Sequence, residues 1–138
     1  MKALEERGML DNTWIIYTSD HGEMLGDHYL SHKIVFYEGA LKVPLIIRPP
    51  GGIEGWKSNA LADHLDVAAS LLDIAGAEAL EGSDGYSLAK KSEGGPDAPG
   101  AQEGKGAVFS EVYGYSMVLT ERYKMAVDSR THQPVELY

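Results

Sequence analysis

Thr18-Ser19-Asp20-His21-Gly22-Glu23 directly follows the apolar run Trp14-Ile15-Ile16-Tyr17. A carboxylate and an imidazole at the end of a buried strand can hold a metal ion at a sheet edge. Asp is a hard oxygen ligand suited to calcium, magnesium or manganese, and His suits borderline metals in a mixed site. Adjacent residues of an extended chain point to opposite sides. Asp20 and His21 therefore reach one ion only where the backbone turns, and Gly22 lets it turn. Lys33 follows in the same stretch. Its ammonium can hold sulfate or phosphate oxygens and offset charge that builds on a leaving group. Asp27, His28 and His32 lie around that lysine as orienting groups or further ligands.

Each candidate also has a plainer reading. Asp20 can form an Asx-type turn with His21 packed beside it, and Lys33 can be a solvated surface charge. His28 and His32 can be loop imidazoles bonded to nearby carbonyls. Asp63, His64 and Asp66 sit where a helix should start and read as capping groups. Trp14, Trp56 and the tyrosines read as packing. No Gly-x-Ser-x-Gly elbow, no phosphate-cradling loop ending in Gly-Lys-Ser/Thr and no cysteine is present, so the residues identify no nucleophile. Residue types alone give a divalent-metal and anion site on an α/β fragment.

The elements that must position these groups follow from periodicity. Lys2 to Gly8 reads as a helix end that lacks an N-cap and is expected to be cut off. Thr13 to Tyr17 is β-branched and aromatic, too short for a helix, and reads as a buried strand. Ser19 to Ser31 reads as a polar loop, Ile34 to Leu41 as a short helix, and Val43 to Ile47 as a second strand stopped by Arg48-Pro49-Pro50-Gly51-Gly52. Leu65 to Ala75 is a helix with an apolar stripe of Leu65, Ala68, Ala69, Leu72 and Ala75, capped by Asp63 or Asp66 and ended by Gly76. Residues 1–80 thus form an α/β layer. Residues 81–106, rich in Gly, Ser, Pro, Asp and Glu, read as a surface linker. Residues 107–138 read as four short strands in an antiparallel meander.

The chain has 138 residues, 43% of them hydrophobic and 24% charged, which places it among folded globular chains. A net charge of −9 argues against nucleic acid or an anionic membrane as partner, since both ask for a basic face. No apolar run approaches the ~20 residues of a membrane helix, and no signal-peptide pattern opens the chain. Compartment is left open.

Two stretches carry a resemblance to a known family. Leu10-Asp11-Asn12-Thr13-Trp14-Ile15-Ile16-Tyr17-Thr18-Ser19-Asp20-His21-Gly22-Glu23-Met24-Leu25-Gly26-Asp27-His28 is similar to the sulfatase family of the alkaline-phosphatase superfamily. So is His32-Lys33-Ile34-Val35-Phe36-Tyr37-Glu38-Gly39-Ala40-Leu41-Lys42-Val43-Pro44-Leu45-Ile46-Ile47. Asp66 to Gly76, Glu121 to Met125 and Val135 to Tyr138 resemble later family segments. The resemblance implies the C-terminal portion of an alkaline-phosphatase-like α/β sandwich followed by a small antiparallel β subdomain.

It also implies a metal-dependent sulfuric ester hydrolase acting on a sulfate ester. Asp20 and His21 would be ligands of a divalent metal, calcium first with manganese or magnesium as alternatives. Lys33 would contact the sulfate and the bridging oxygen. In that family a formylglycine hydrate attacks sulfur. Its source motif, Cys/Ser-x-Pro-x-Arg, does not occur in these residues, nor do the early aspartates that complete the metal shell. The chain is therefore expected to be a fragment, inactive by itself, with uncovered strand edges that favour oligomers. A periplasmic or secreted parent fits the family. Three alternatives remain: a phosphonate monoester or phosphodiester hydrolase of the same superfamily, a non-catalytic metal-binding interaction domain, and a structural relic.

Overall fold

A computed structural model describes all 138 residues. The chain divides into two compact units, one of residues 1–17 and 45–104 and the other of residues 18–44 and 105–138. Each unit is therefore built from two separate stretches of sequence, where the contiguous segments 1–80, 81–106 and 107–138 were expected.

The first unit holds α1 (Lys2–Glu6), β1 (Ile15–Thr18, whose last residue opens the second unit), β2 (Leu45–Arg48), α3 (His64–Ala75) and α4 (Ala89–Gly94). β1 and β2 pair in a two-stranded sheet. The Arg48 guanidinium donates to Leu10 O at 3.0 Å and lies 3.8 Å from the Asp11 carboxylate, tying the turn before β1 to the end of β2. α3 starts as its sequence requires. Asp63 caps it, and Asp66 returns the bond to the Asp63 N–H at 2.9 Å, so both predicted caps act in one capping box. Gly76 ends it in the left-handed conformation at φ 65°.

The face that α3 buries differs from the apolar stripe read from the sequence. Its two buried residues are Asp66 and Ser70, each 1% exposed, whereas Leu65 and Leu71 stand about half exposed. Asp66 and Ser70 face the stretch that looked like a linker. Asp66 Oδ1 accepts the Tyr86 N–H at 2.8 Å and Ser70 Oγ accepts the Leu88 N–H at 2.8 Å. Asp73, one turn on, accepts from the Ser87 hydroxyl at 2.5 Å. A polar i, i+4, i+7 row on one helix face therefore holds residues 86–88 as a strand partner would. Gly85 is required there, because a Cβ would meet Leu65 O at 2.2 Å. The rest of residues 81–106 contains α4, and Ala89 and Ala101 are buried. Ser58 donates to Ala101 O at 3.3 Å and Lys91 to Glu103 O at 2.6 Å. Composition reads as a surface linker because the hydrogen-bond partners of residues 86–88 lie outside the stretch, on α3.

The second unit holds the loop after β1, α2 (Glu38–Leu41), and a four-stranded antiparallel meander of β3 (Val108–Val112), β4 (Tyr115–Leu119), β5 (Lys124–Asp128) and β6 (Pro134–Leu137). Met117 of β4 and Ala126 of β5 are cross-strand partners, and with Phe36 they form the buried centre, flanked by Leu41, Val112 and Leu119. The meander follows the predicted pieces within a few residues, since alternating apolar residues between Gly114 and the turns at 120–123 and 129–133 admit only that pairing. The predicted helix from Ile34 shortens to Glu38–Leu41, because Phe36 turns inward to the sheet.

Candidate functional site

β1 ends at Thr18, and the chain turns at once. Ser19 Oγ donates to His21 O at 2.9 Å, and the Asp20 carboxylate accepts the His21 N–H at 3.0 Å. Gly22 then passes so close to Gly39 that a Cβ would lie 1.9 Å from its carbonyl oxygen, and its N–H bonds Ala40 O at 2.8 Å. Gly22 thus docks the loop on the first turn of α2 as well as allowing the bend.

This turn brings the three predicted site residues together. His21 Nδ1 is 2.7 Å from Gly22 O, which can only accept, so Nδ1 carries the proton. Nε2 then keeps its lone pair, and it faces Asp20 Oδ2 at 3.3 Å. The Lys33 ammonium contacts the same Nε2. Two electron-rich atoms and one cation share a small volume. Partial desolvation raises the Asp20 carboxyl, but the His21 N–H, then the charge of the His21 ring, with a smaller part from the Lys33 ammonium, outweigh it and hold Asp20 below the ordinary carboxylate value. The Asp20 side chain is 82% exposed and that of His21 36%, so the site opens to solvent.

The rest of the loop sets Lys33 in place. The Glu23 carboxylate accepts the His32 N–H, and the Met24 N–H bonds His32 O at 3.1 Å. Met24 itself is buried. Leu25, His28, Tyr29 and His32 all have positive φ, four non-glycine left-handed residues within eight positions. Such strain persists only where the surroundings fix it, and it concentrates at functional sites. Asp27, His28 and His32 do not join Asp20 and His21. His28 stacks on Tyr37, ring centroids 4.2 Å apart and planes 10° from parallel. No cluster of three or more His, Cys, Asp or Glu side chains anywhere in the chain could close around a metal.

The sulfatase family model matches residues 1–77, more than half of the chain. The chain belongs to the sulfatase family. Among curated relatives it is 44% identical over 89 residues to N-acetylglucosamine-6-O-sulfatase of Bacteroides thetaiotaomicron, covering 64% of this chain and 16% of that protein. It is 38% identical over 90 residues to arylsulfatase K of Bos taurus, covering 65% and 17% respectively. Among solved structures, one sulfated-sugar complex, with D-glucosamine-2-N,6-O-disulfate as its substrate, matches at TM-score 0.83 and 32% identity. That match covers 99% of this chain and 29% of the other. Phosphonate monoester hydrolase of Silicibacter pomeroyi matches at TM-score 0.80 and 27% identity, covering 99% and 30%.

The family segment therefore matches the C-terminal portion of the alkaline-phosphatase-like sulfatase fold. The chain spans less than a fifth of the length of these curated relatives. No helix of this sulfatase segment is long and apolar enough to cross a membrane. Sequence reasoning missed Glu23 as the brace of the loop, and it missed Tyr37, Lys124 and Tyr138, which meet beside it. Lys124 Nζ donates to Phe36 O at 2.7 Å and lies 4.6 Å from the Tyr138 ring centroid. These three are widely separated in sequence, and no local spacing joins them.

Proposed function

We propose that this chain supplies the metal- and sulfate-holding loop of a divalent-metal-dependent sulfuric ester hydrolase. One observation carries the reading: Asp20, His21 and Lys33 converge on one point. Two ligand atoms bound side by side to a calcium-sized ion at ~2.3–2.4 Å are separated by roughly 3.3 Å. The Asp20 and His21 atoms stand at 3.3 Å, and the Nδ1 bond to Gly22 O leaves Nε2 as the coordinating nitrogen. The donor set fits a divalent cation in kind and supplies two of its ligands; calcium takes ~6–8 oxygens. When bound, the ion would stabilise negative charge on the ester oxygens.

Lys33 would hold a sulfate oxygen and offset charge on the leaving alcohol oxygen. In the structure the ammonium donates to His21 Nε2; a cation bound at that lone pair would displace it and free its donors for the sulfate oxygens. The 138 residues contain no Cys/Ser-x-Pro-x-Arg nucleophile motif, so the chain by itself should bind metal weakly and turn over no ester. A second reading rests on the likeness to the phosphonate monoester hydrolase: the same cation and ammonium suit a phosphonate oxyanion equally well. Steady-state assays with sulfate and phosphonate monoesters, on the complete reading frame that contains this chain, test both. Sulfate turnover lost in Lys33→Ala supports the first reading. Phosphonate turnover far exceeding sulfate turnover supports the second.

A further inference from the structure

Lys33 reaches His21 from a stretch of chain that no helix or strand supports. Residues 33–35 make no backbone hydrogen bond, so the position of the ammonium depends on what fixes the chain at either end of them. At the far end Phe36 is buried in the meander core, and its carbonyl accepts from Lys124 Nζ at 2.7 Å. At the near end His32 is held twice. Its N–H donates to the Glu23 carboxylate, and its carbonyl accepts the Met24 N–H at 3.1 Å. We propose that Glu23 is a positioning residue for Lys33, setting through the His32 N–H where the ammonium meets the anion. This inference rests on the sulfate-holding reading of Lys33.

The geometry around Glu23 suits that role. The Gly22 N–H is docked on α2 and Met24 is buried, so the residues on both sides of Glu23 are fixed. Glu23 itself is exposed, and its side chain spans the base of the loop to His32. The ion pairs of the chain leave Glu23 out, so the carboxylate braces the loop without neutralising Lys33. A hydrogen bond to an ionised acceptor is roughly twice as strong as one between neutral groups. His32 stands at φ 70°, a left-handed conformation that a non-glycine residue keeps only where its surroundings fix it. Glu23 lies two residues from His21, and His32 is next to Lys33. The Glu23–His32 bond therefore closes the loop at the foot of the Lys33–His21 contact. Without it the Met24–His32 bond alone holds that foot, and the chain can pivot about it. A misplacement of about 1 Å at a positioned group can cost about a hundredfold in rate. Glu23 joins no metal-sized cluster with Asp20 and His21, so its contribution runs through His32.

The test compares wild type, Glu23→Ala and Glu23→Gln by NMR of the 138-residue chain, with calcium and inorganic sulfate as probes. In the wild type the His32 amide should exchange about tenfold more slowly than those of Ser31 and Lys33, after correction for sequence. The Lys33 ε-protons should show a nuclear Overhauser contact to the His21 ring. Glu23→Ala should lose that contact and, with calcium present, bind sulfate at Lys33 about tenfold more weakly. Its calcium binding should stay within about twofold of wild type. Glu23→Gln keeps an oxygen that accepts the His32 N–H, and it should restore sulfate binding to within about threefold of wild type. Unchanged sulfate binding in a folded Glu23→Ala would leave Glu23 a stabilising residue only and overturn the proposal. So would an equal loss of calcium and sulfate binding, or a Gln variant as weak as the Ala variant. A wild-type His32 amide without protection would overturn it with no variant needed, which keeps the test decisive if Glu23→Ala does not fold. Loss of the Lys33–His21 contact in Glu23→Ala, in a chain whose Lys33 never responds to sulfate, would support the positioning and remove the sulfate reading.

Discussion

Two polar regions of this molecule use the same residue types to opposite ends. On α3, Asp63, Asp66 and Ser70 turn inward and complete the hydrogen bonds of a capping box and of residues 86–88. In the loop of residues 20–33, Asp20, His21 and Lys33 crowd together at the surface with strained backbone around them. The first arrangement leaves buried polar groups satisfied and stabilises the fold. The second places like-natured lone pairs beside one cation, an arrangement that adds little to stability and suits binding. Asp66 is buried and answers backbone N–H groups of other segments, whereas Asp20, 82% exposed, answers the N–H of its neighbour and faces the His21 Nε2 lone pair.

The largest expected effect lies on the structural side. Asp66→Ala leaves the Asp63 and Tyr86 N–H groups without their 2.9 and 2.8 Å acceptors. Losing the acceptor of two part-buried donors costs about 2 kcal/mol, which urea unfolding would read; a loss below about 0.5 kcal/mol would show that the row on α3 does not hold residues 86–88. Gly22→Ala comes next. Its Cβ would overlap Gly39 O, so the loop must shift, at about 1–3 kcal/mol, and the Asp20, His21 and Lys33 amide resonances should move together. A shift confined to residue 22 would separate docking from site geometry.

Asp63→Ala removes one cap and should cost about 1 kcal/mol, less than Asp66→Ala, because only Asp66 also binds Tyr86. Equal losses would remove that distinction. The smallest effect concerns acid. Asp128 accepts the Thr131 N–H at 2.8 Å and the Arg130 N–H at 3.0 Å. The Thr131 bond chiefly, then that of Arg130, holds its carboxyl below the usual value. A lowered folded value means Asp128 stabilises the turn above ~3.9, the unfolded value, and that contribution fades as pH falls through the lower folded value. In an acid melt below pH 4, Asp128→Asn should flatten the fall in stability; an unchanged slope would assign it to other carboxylates.

Much of this was legible in the residues. The Asp63/Asp66 box, Gly76 and the four-strand meander follow from caps and period-two alternation. The grouping of Asp20, His21 and Lys33 was legible as a motif, because Gly22 and the strand before it fix local geometry. The polar face of α3 was not, since hydrophobic periodicity weighs apolar residues and Asp66 and Ser70 find their partners up to twenty residues on. Nor was the meeting of Tyr37, Lys124 and Tyr138, which come together only through tertiary packing.

Calcium titration of the 138-residue chain by isothermal calorimetry, wild type against Asp20→Ala, tests the shared cation position most directly. Weak binding heat in the wild type, abolished in Asp20→Ala with unfolding stability changed by less than about 0.5 kcal/mol, is the expected result. Identical heats from the two proteins would contradict it and leave Asp20 and His21 as residues of a turn.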